Sequence, residues 1–161
     1  MKKNCFVILF LIAALFSCEN KNKEKTKTFS NYLTSVFSLA IPKESHYFLL
    51  LPEYVCIGCV INSQIAINNY LDVHPDLEKK ITFIYLNKEM ANETLISRSK
   101  SFYDEQRRMN DDIPAALFGI GNLTVVATNK EKVVQVTSID VDDLMQINKT
   151  LDTVFSSKNT E

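Results

Sequence analysis

The chain is short of the residues that many functional sites are built from. It holds three glycines in 161 residues, and Gly119-Ile120-Gly121 does not precede a helical pattern, so no phosphate-cradling loop is present. Lysine and arginine number 18 against 19 acidic residues, a formal net charge of −1, which gives nucleic acid little to bind to. The nearest approach to a basic cluster is Lys21, Lys23, Lys25 and Lys27, interleaved with Asn, Glu and Thr. Histidine occurs twice, as His46 and His74, and tryptophan not at all. Two histidines and two cysteines would complete a tetrahedral zinc set. Yet His46 opens an apolar strand whose other end approaches the cysteines, about 17 Å away, and His74 follows the far end of the helix after them. No metal is expected. The same separation argues against a cysteine–histidine nucleophile pair for acyl transfer.

What the chain does have is concentrated in His46–Tyr70, HYFLLLPEYVCIGCVINSQIAINNY. Tyr47-Phe48-Leu49-Leu50-Leu51 is a continuous apolar run closed by Pro52, which cannot continue a central strand. After a short loop come Cys56-Ile57-Gly58-Cys59, and then Val60, Ile61, Ile65, Ile67 and Leu71 read as a mostly apolar helix over Cys56–Leu71. A Cys-X-X-Cys opening a helix has a mechanism. The first cysteine meets the unpaired N–H groups and positive dipole end that stabilise a thiolate. The second lies about one turn on, within reach to close a disulfide and reopen it. A bridge over two residues closes so small a loop that it adds little stability by chain entropy, which favours chemistry over stapling.

Taken in order, the first residues read as a leader. Lys2 and Lys3 give a positive start and Cys5–Phe16 an apolar run of about a dozen residues, too short to span a bilayer comfortably. Glu19–Thr28 is polar and low in complexity, a flexible tether. Phe29–Ala40 has helical spacing at 29, 32/33, 36/37 and 40 and should end at Ile41-Pro42. Ile81–Leu86 is a β-branched and aromatic strand suited to an inner parallel position. Asn92 should cap one helix running to about Arg108, with Arg98, Lys100, Arg107 and Arg108 on its solvated face. Leu123–Thr128 and Lys132–Ser138 flank Asn129-Lys130-Glu131 as a tight hairpin. Asp140 should cap a last helix, Val141–Phe155.

Leu15-Phe16-Ser17-Cys18 resembles the lipobox of bacterial lipoproteins. The resemblance implies a signal peptide over 1–17, diacylation of Cys18, a tether over 18–28 and a domain over 29–161. It leaves Cys56 and Cys59 as the only free thiols, on the oxidising side of a membrane. Glu19 is not the aspartate linked to inner-membrane retention in some enteric bacteria, which favours the outer membrane in a cell that has one.

The element order, with Cys-X-X-Cys at the first helix, resembles the thioredoxin fold, and more narrowly the membrane-tethered thioredoxin-like lipoproteins of bacterial envelopes. It implies an α/β fold, β-α-β-α-β-β-α, with a central mixed sheet flanked by helices and an extra N-terminal helix. The family's tryptophan before the motif is absent, with Tyr54-Val55 in its place, and the intervening dipeptide is Ile57-Gly58. Its cis-proline beside the disulfide has two candidate positions. Either the third strand begins at Pro114 and bulges through Gly119–Gly121, or Leu123 stands there and the proline is lost. The family's buried acid would fall near Leu50, with Glu53 a poor substitute.

The resemblance implies a thiol–disulfide oxidoreductase with Cys56 attacking and Cys59 resolving, and the backbone at Ile113-Pro114 or Asn122-Leu123 positioning a substrate chain. No organic cofactor is needed. The expected partners are protein thiols or disulfides of the envelope, an electron-donor or electron-acceptor thiol protein, and the membrane through Cys18. The alternative is a non-catalytic binding or structural lipoprotein with a static Cys56–Cys59 bridge.

Overall fold

The computed structural model describes residues 21–51, 57–86, 88–119, 123–139 and 144–156, with the side chains of 57–59, 90, 144–146 and 156 outside that description. Five strands form one sheet in the order β3-β2-β1-β4-β5. These are β1 (His46–Leu51), β2 (Ile81–Tyr85), β3 (Lys100–Tyr103), β4 (Leu123–Asn129) and β5 (Lys132–Ile139). The helices are α1 (21–37), α2 (Ile57–Val73), α3 (Glu93–Arg98), α4 (Arg108–Asp112), α5 (Ala115–Phe118) and α6 (Leu144–Ser156). The sheet is mixed. β1 runs parallel to β2 and antiparallel to β4, β2 runs parallel to β3, and β4 and β5 are antiparallel.

The apolar run of β1 explains its central place. A strand with a sheet neighbour on each side and helices above and below has no solvent face, so every position must be apolar. Because side chains alternate, Tyr47, Leu49 and Leu51 join a core with α2 and α6, built also from Ile67, Leu71, Phe83, Ile147 and Leu151. Phe48 and Leu50 point the other way, into a second core with Phe29, Tyr32 and Leu33 of α1, Met109 of α4 and Phe118 of α5. The chain is therefore an α/β protein of three layers.

α1 differs from its expected span at both ends. It is helical from 21, where a flexible tether was expected over 18–28, and it ends at 37 rather than at Ile41-Pro42. The early start follows from anchorage. Thr26 Oγ1 accepts a hydrogen bond from the Val133 N–H at 3.0 Å and donates to the Asn22 carbonyl at 2.7 Å, tying the polar turns to the sheet edge. The early stop follows from Ser38, whose left-handed backbone (φ 54°) turns the chain. Its N–H donates to the Thr34 carbonyl and the Leu39 N–H to the Leu33 carbonyl, both at 3.1 Å.

The single helix expected over 92–108 is two elements. Asn92 does cap it, its Oδ1 accepting from the Thr94 and Leu95 N–H groups at 2.9 and 3.3 Å. But the helix closes after Arg98, and Lys-Ser-Phe-Tyr becomes β3, paired with β2 from Thr82↔Lys100 to Tyr85↔Tyr103. Pairing with the open edge of β2, and the strand preference of Phe and Tyr, outweigh a helical pattern carried by few apolar residues. Lys100 and Arg107 are exposed as expected, and Arg98 is the exception. Arg98 is not on a solvated face but bridges α2 to the following turn, donating to Glu78 Oε1 at 2.7 Å, Asp72 Oδ1 at 2.6 Å and Asn68 Oδ1 at 2.8 Å.

The hairpin forms where expected. Lys130 and Glu131 both take positive φ (51° and 62°), the geometry of a tight two-residue turn. Neither is glycine or asparagine, and the turn is held by outside bonds, from the Lys130 N–H to the Lys43 carbonyl (2.8 Å) and the Glu131 N–H to the Pro42 carbonyl (3.2 Å). The β4–β5 register shifts between Ala127 and Thr128, which pair with Gln135 and Val133, so Val134 is the extra residue of a bulge in β5 and is 40% exposed.

Candidate functional site

β1 ends at Leu51 and α2 is described from Ile57, the residue after Cys56. Cys59 is the third described residue of the helix, and its side chain lies outside the described residues, as do Cys18, Glu53 and Cys56. The N-terminal turn of an α-helix carries unpaired backbone N–H groups and a partial positive charge. A thiol in or just before that turn is held at lower pKa than a free cysteine. The helix itself is well founded, with Val60, Ala66, Ile67 and Leu71 buried against the sheet and α6.

The sheet edge beneath that helix start is defined by register. Leu51 pairs with Tyr85, and Leu50 with Thr124, so the ends of β1 and β2 and the beginning of β4 meet at one edge. Leu123, one of the two candidate positioning residues, opens β4 there with 2% of its surface exposed, and its side chain belongs to the core on the α2 side. Pro114, the other, sits elsewhere. It is the exposed cap before α5, with φ −60° and ψ 126°, and no peptide bond among the described residues is cis. α5 and Gly119, whose left-handed φ of 66° ends it, stand between Pro114 and the strand, which starts at Leu123.

Leu50 explains why an acid could not act from that position. Its side chain faces the α1 core, on the opposite side of the sheet from α2. Among the described residues one carboxylate is fully buried, Asp104, and it too serves the α1 side. It accepts from the Tyr32 hydroxyl at 3.0 Å and from the backbone N–H groups of Arg108 (3.1 Å) and Met109 (2.6 Å), capping α4 and clamping α1 to it. Burial, with the Asp104 charge beside it, pushes the Tyr32 phenol far above its ordinary pKa. Nothing in the sequence pattern marked this pair, because the residues that meet are 72 positions apart.

The histidines are both accounted for away from the motif. His46 Nε2 lies 2.8 Å from Thr82 Oγ1, on the α1 side of the sheet. Burial, and secondarily Lys100, lower its pKa to about 4, so the ring is neutral at ordinary pH. His74 follows the last turn of α2 and packs on the Tyr70 ring, 4.5 Å between centroids. Fifteen helical residues from Cys59 to His74 span about 22 Å. Tyr70, in turn, is bonded to Asp152 of α6, and burial together with that carboxylate raises its pKa to about 12.

One group near this edge was not foreseen. Tyr85 is fully buried between the rings of Phe83 and Tyr103, each 5.9 Å away, and its hydroxyl has no hydrogen-bond partner among the described residues. Burial raises its pKa strongly, and the Asn92 backbone N–H, too poorly placed for a full hydrogen bond, offsets only part of that rise.

The sequence matches no known protein-family model. It also matches no curated protein.

Proposed function

We propose that this is a thioredoxin-like thiol–disulfide oxidoreductase of the bacterial envelope, anchored by lipid at Cys18 and working through Cys56 and Cys59. The observation that carries the reading is where α2 begins. Cys59 is the third described residue of α2, and Pro52 closes β1 only a few residues earlier, so the motif falls at the N-terminal end of a helix, where backbone N–H groups stabilise a thiolate. The sheet supports it as well. Its order β3-β2-β1-β4-β5, with β1 and β2 parallel and β4 antiparallel to β1, is compatible with the central mixed sheet flanked by helices that the family resemblance implies, with β3 as an added edge strand.

The chemistry balances within the pair and its substrate. The Cys56 thiolate attacks one sulfur of a substrate disulfide, forming a mixed disulfide and releasing the other substrate sulfur as a thiolate. The Cys59 thiolate then attacks the Cys56 sulfur, closing the Cys56–Cys59 bridge and freeing the second substrate thiol. Two electrons pass from the pair to the substrate, and the reverse sequence oxidises a substrate dithiol. A partner thiol protein of the envelope resets the pair.

One observation favours a second reading, in which the fold carries a static bridge and only binds. Among the described residues no buried carboxylate lies on the α2 side of the sheet to move a proton to or from Cys59.

Equilibration of the pair against glutathione separates the two. A potential between roughly −120 and −270 mV is expected for an exchanging pair, and one below about −300 mV marks an inert bridge and ends the catalytic reading. In cells, Cys59→Ser should accumulate a mixed disulfide through Cys56, and Cys56→Ser should not. Equal amounts of adduct from both variants would contradict the assigned roles.

A further inference from the structure

On the far side of the sheet from α2, the first turns of α1 lie against the bulged edge strand β5 and leave an open groove of about 560 Å³. Its walls are Asn22, Lys23, Thr26 and Lys27 of α1 and Lys132–Val134 of β5. Lys27 and Lys132 line it, with Lys23 beside them, and no acidic residue is among its described lining. Lys27 and Lys132 are exposed, Val133 is buried beneath, and Val134, the extra residue of the bulge, is 40% exposed. The bond from the Val133 N–H to Thr26 Oγ1 (3.0 Å) ties helix to strand beside the groove. We infer that this groove receives the phosphate headgroup of an anionic phospholipid and holds the domain in one orientation on its membrane.

The choice of occupant comes from charge and distance. A cationic concavity with an apolar floor suits a phosphodiester carrying glycerol and the upper part of an acyl chain. The inference rests on the reading of Cys18 as the anchor for its distance. Asn22 lies four positions after Cys18, a reach of at most about 14 Å even fully extended. That keeps the groove within, or next to, the layer of headgroups, where potentials persist for about 8 Å at physiological salt. Residues 21–28 carry four lysines and one glutamate, so the whole approach to the groove is basic while the chain is not.

The test is amine footprinting of the full chain carrying its lipid, reconstituted into vesicles of phosphatidylcholine alone or with phosphatidylglycerol. Acetylation of Lys27 and Lys132 should slow about fivefold with phosphatidylglycerol, the factor for one lysine at an anionic surface. Lys149, exposed on α6 in the opposite layer, should label at one rate in both. The protection should vanish near 1 M salt, where screening reaches to about 3 Å. Equal rates for Lys27 and Lys132 in the two vesicles, or equal protection of Lys149, overturn the inference. So does protection by poly-glutamate with none from lipid, which would make the occupant an acidic protein. Flotation with phosphatidylcholine vesicles reports separately on the anchor. If the chain fails to float, the anchor reading falls, and labelling of the free chain mixed with phosphatidylglycerol vesicles still decides the groove.

Discussion

Two tyrosines show how differently one hydroxyl can act in this molecule. Tyr32 donates to the buried Asp104 carboxylate, while Tyr85 is equally buried and unpartnered among the described residues. Removing the first hydroxyl leaves a buried carboxylate short of a donor, and removing the second relieves a group stripped of water. Tyr32→Phe should therefore destabilise by about 1–3 kcal/mol, and Tyr85→Phe should be neutral or stabilise by up to about 1 kcal/mol. Urea unfolding of both variants checks the pair of signs. His46 supplies a pH dependence. Its folded pKa of about 4 lies below the ordinary 6.5, so the unfolded chain binds the extra proton first. The stability it contributes is present above pH 6.5 and is lost as pH falls toward 4. Between pH 7 and 5 the loss should be about 1 kcal/mol after allowance for partial solvent screening. His46→Asn, assayed over that range, should flatten this part of the profile.

The strands legible from sequence were those whose pattern has a single physical cause. β1 and β2 are apolar because they are covered on both faces, and β4 and β5 are two β-branched runs on either side of the two-residue turn Lys130-Glu131. α2 and α6 were legible by length and apolar spacing. β3 was not, because four residues with two aromatics fit a helix face or a strand edge equally well, and what decides is the open side of β2. The start of α1 was hidden for a similar reason, since a lysine-rich polar turn looks like a tether until Thr26 is seen bonded to β5. At the candidate site the motif was legible because its chemistry is local. The facing of Leu50 was not, since it depends on which residue of β1 opposes which helix. The weight carried by α1 is measurable. Leu33, with none of its surface exposed, anchors it on the sheet, so Leu33→Ala should cost about 2–5 kcal/mol in chemical denaturation. A loss below 1 kcal/mol would mean that α1 is not part of the folded core.

At the scale of the whole molecule, the two sides of the sheet divide the labour. α2, which contains Cys59, packs on one side, and the other carries the buried Asp104 clamp and the lysine groove, so a domain resting on its groove would hold α2 away from the membrane. The central position of β1 has a consequence for how the chain is made. Its partner on one side, β2, follows within about thirty residues, but its partner on the other, β4, ends roughly eighty residues after β1 does. At a synthesis rate of about 5–20 residues per second, that flank stays unpaired for roughly 4–16 s. During that interval Phe48 and Leu50 have no finished surface to pack on, although α1 has already emerged. The order of emergence thus makes α1 the first cover available to the growing strand, a nursemaid helix before it is a structural one.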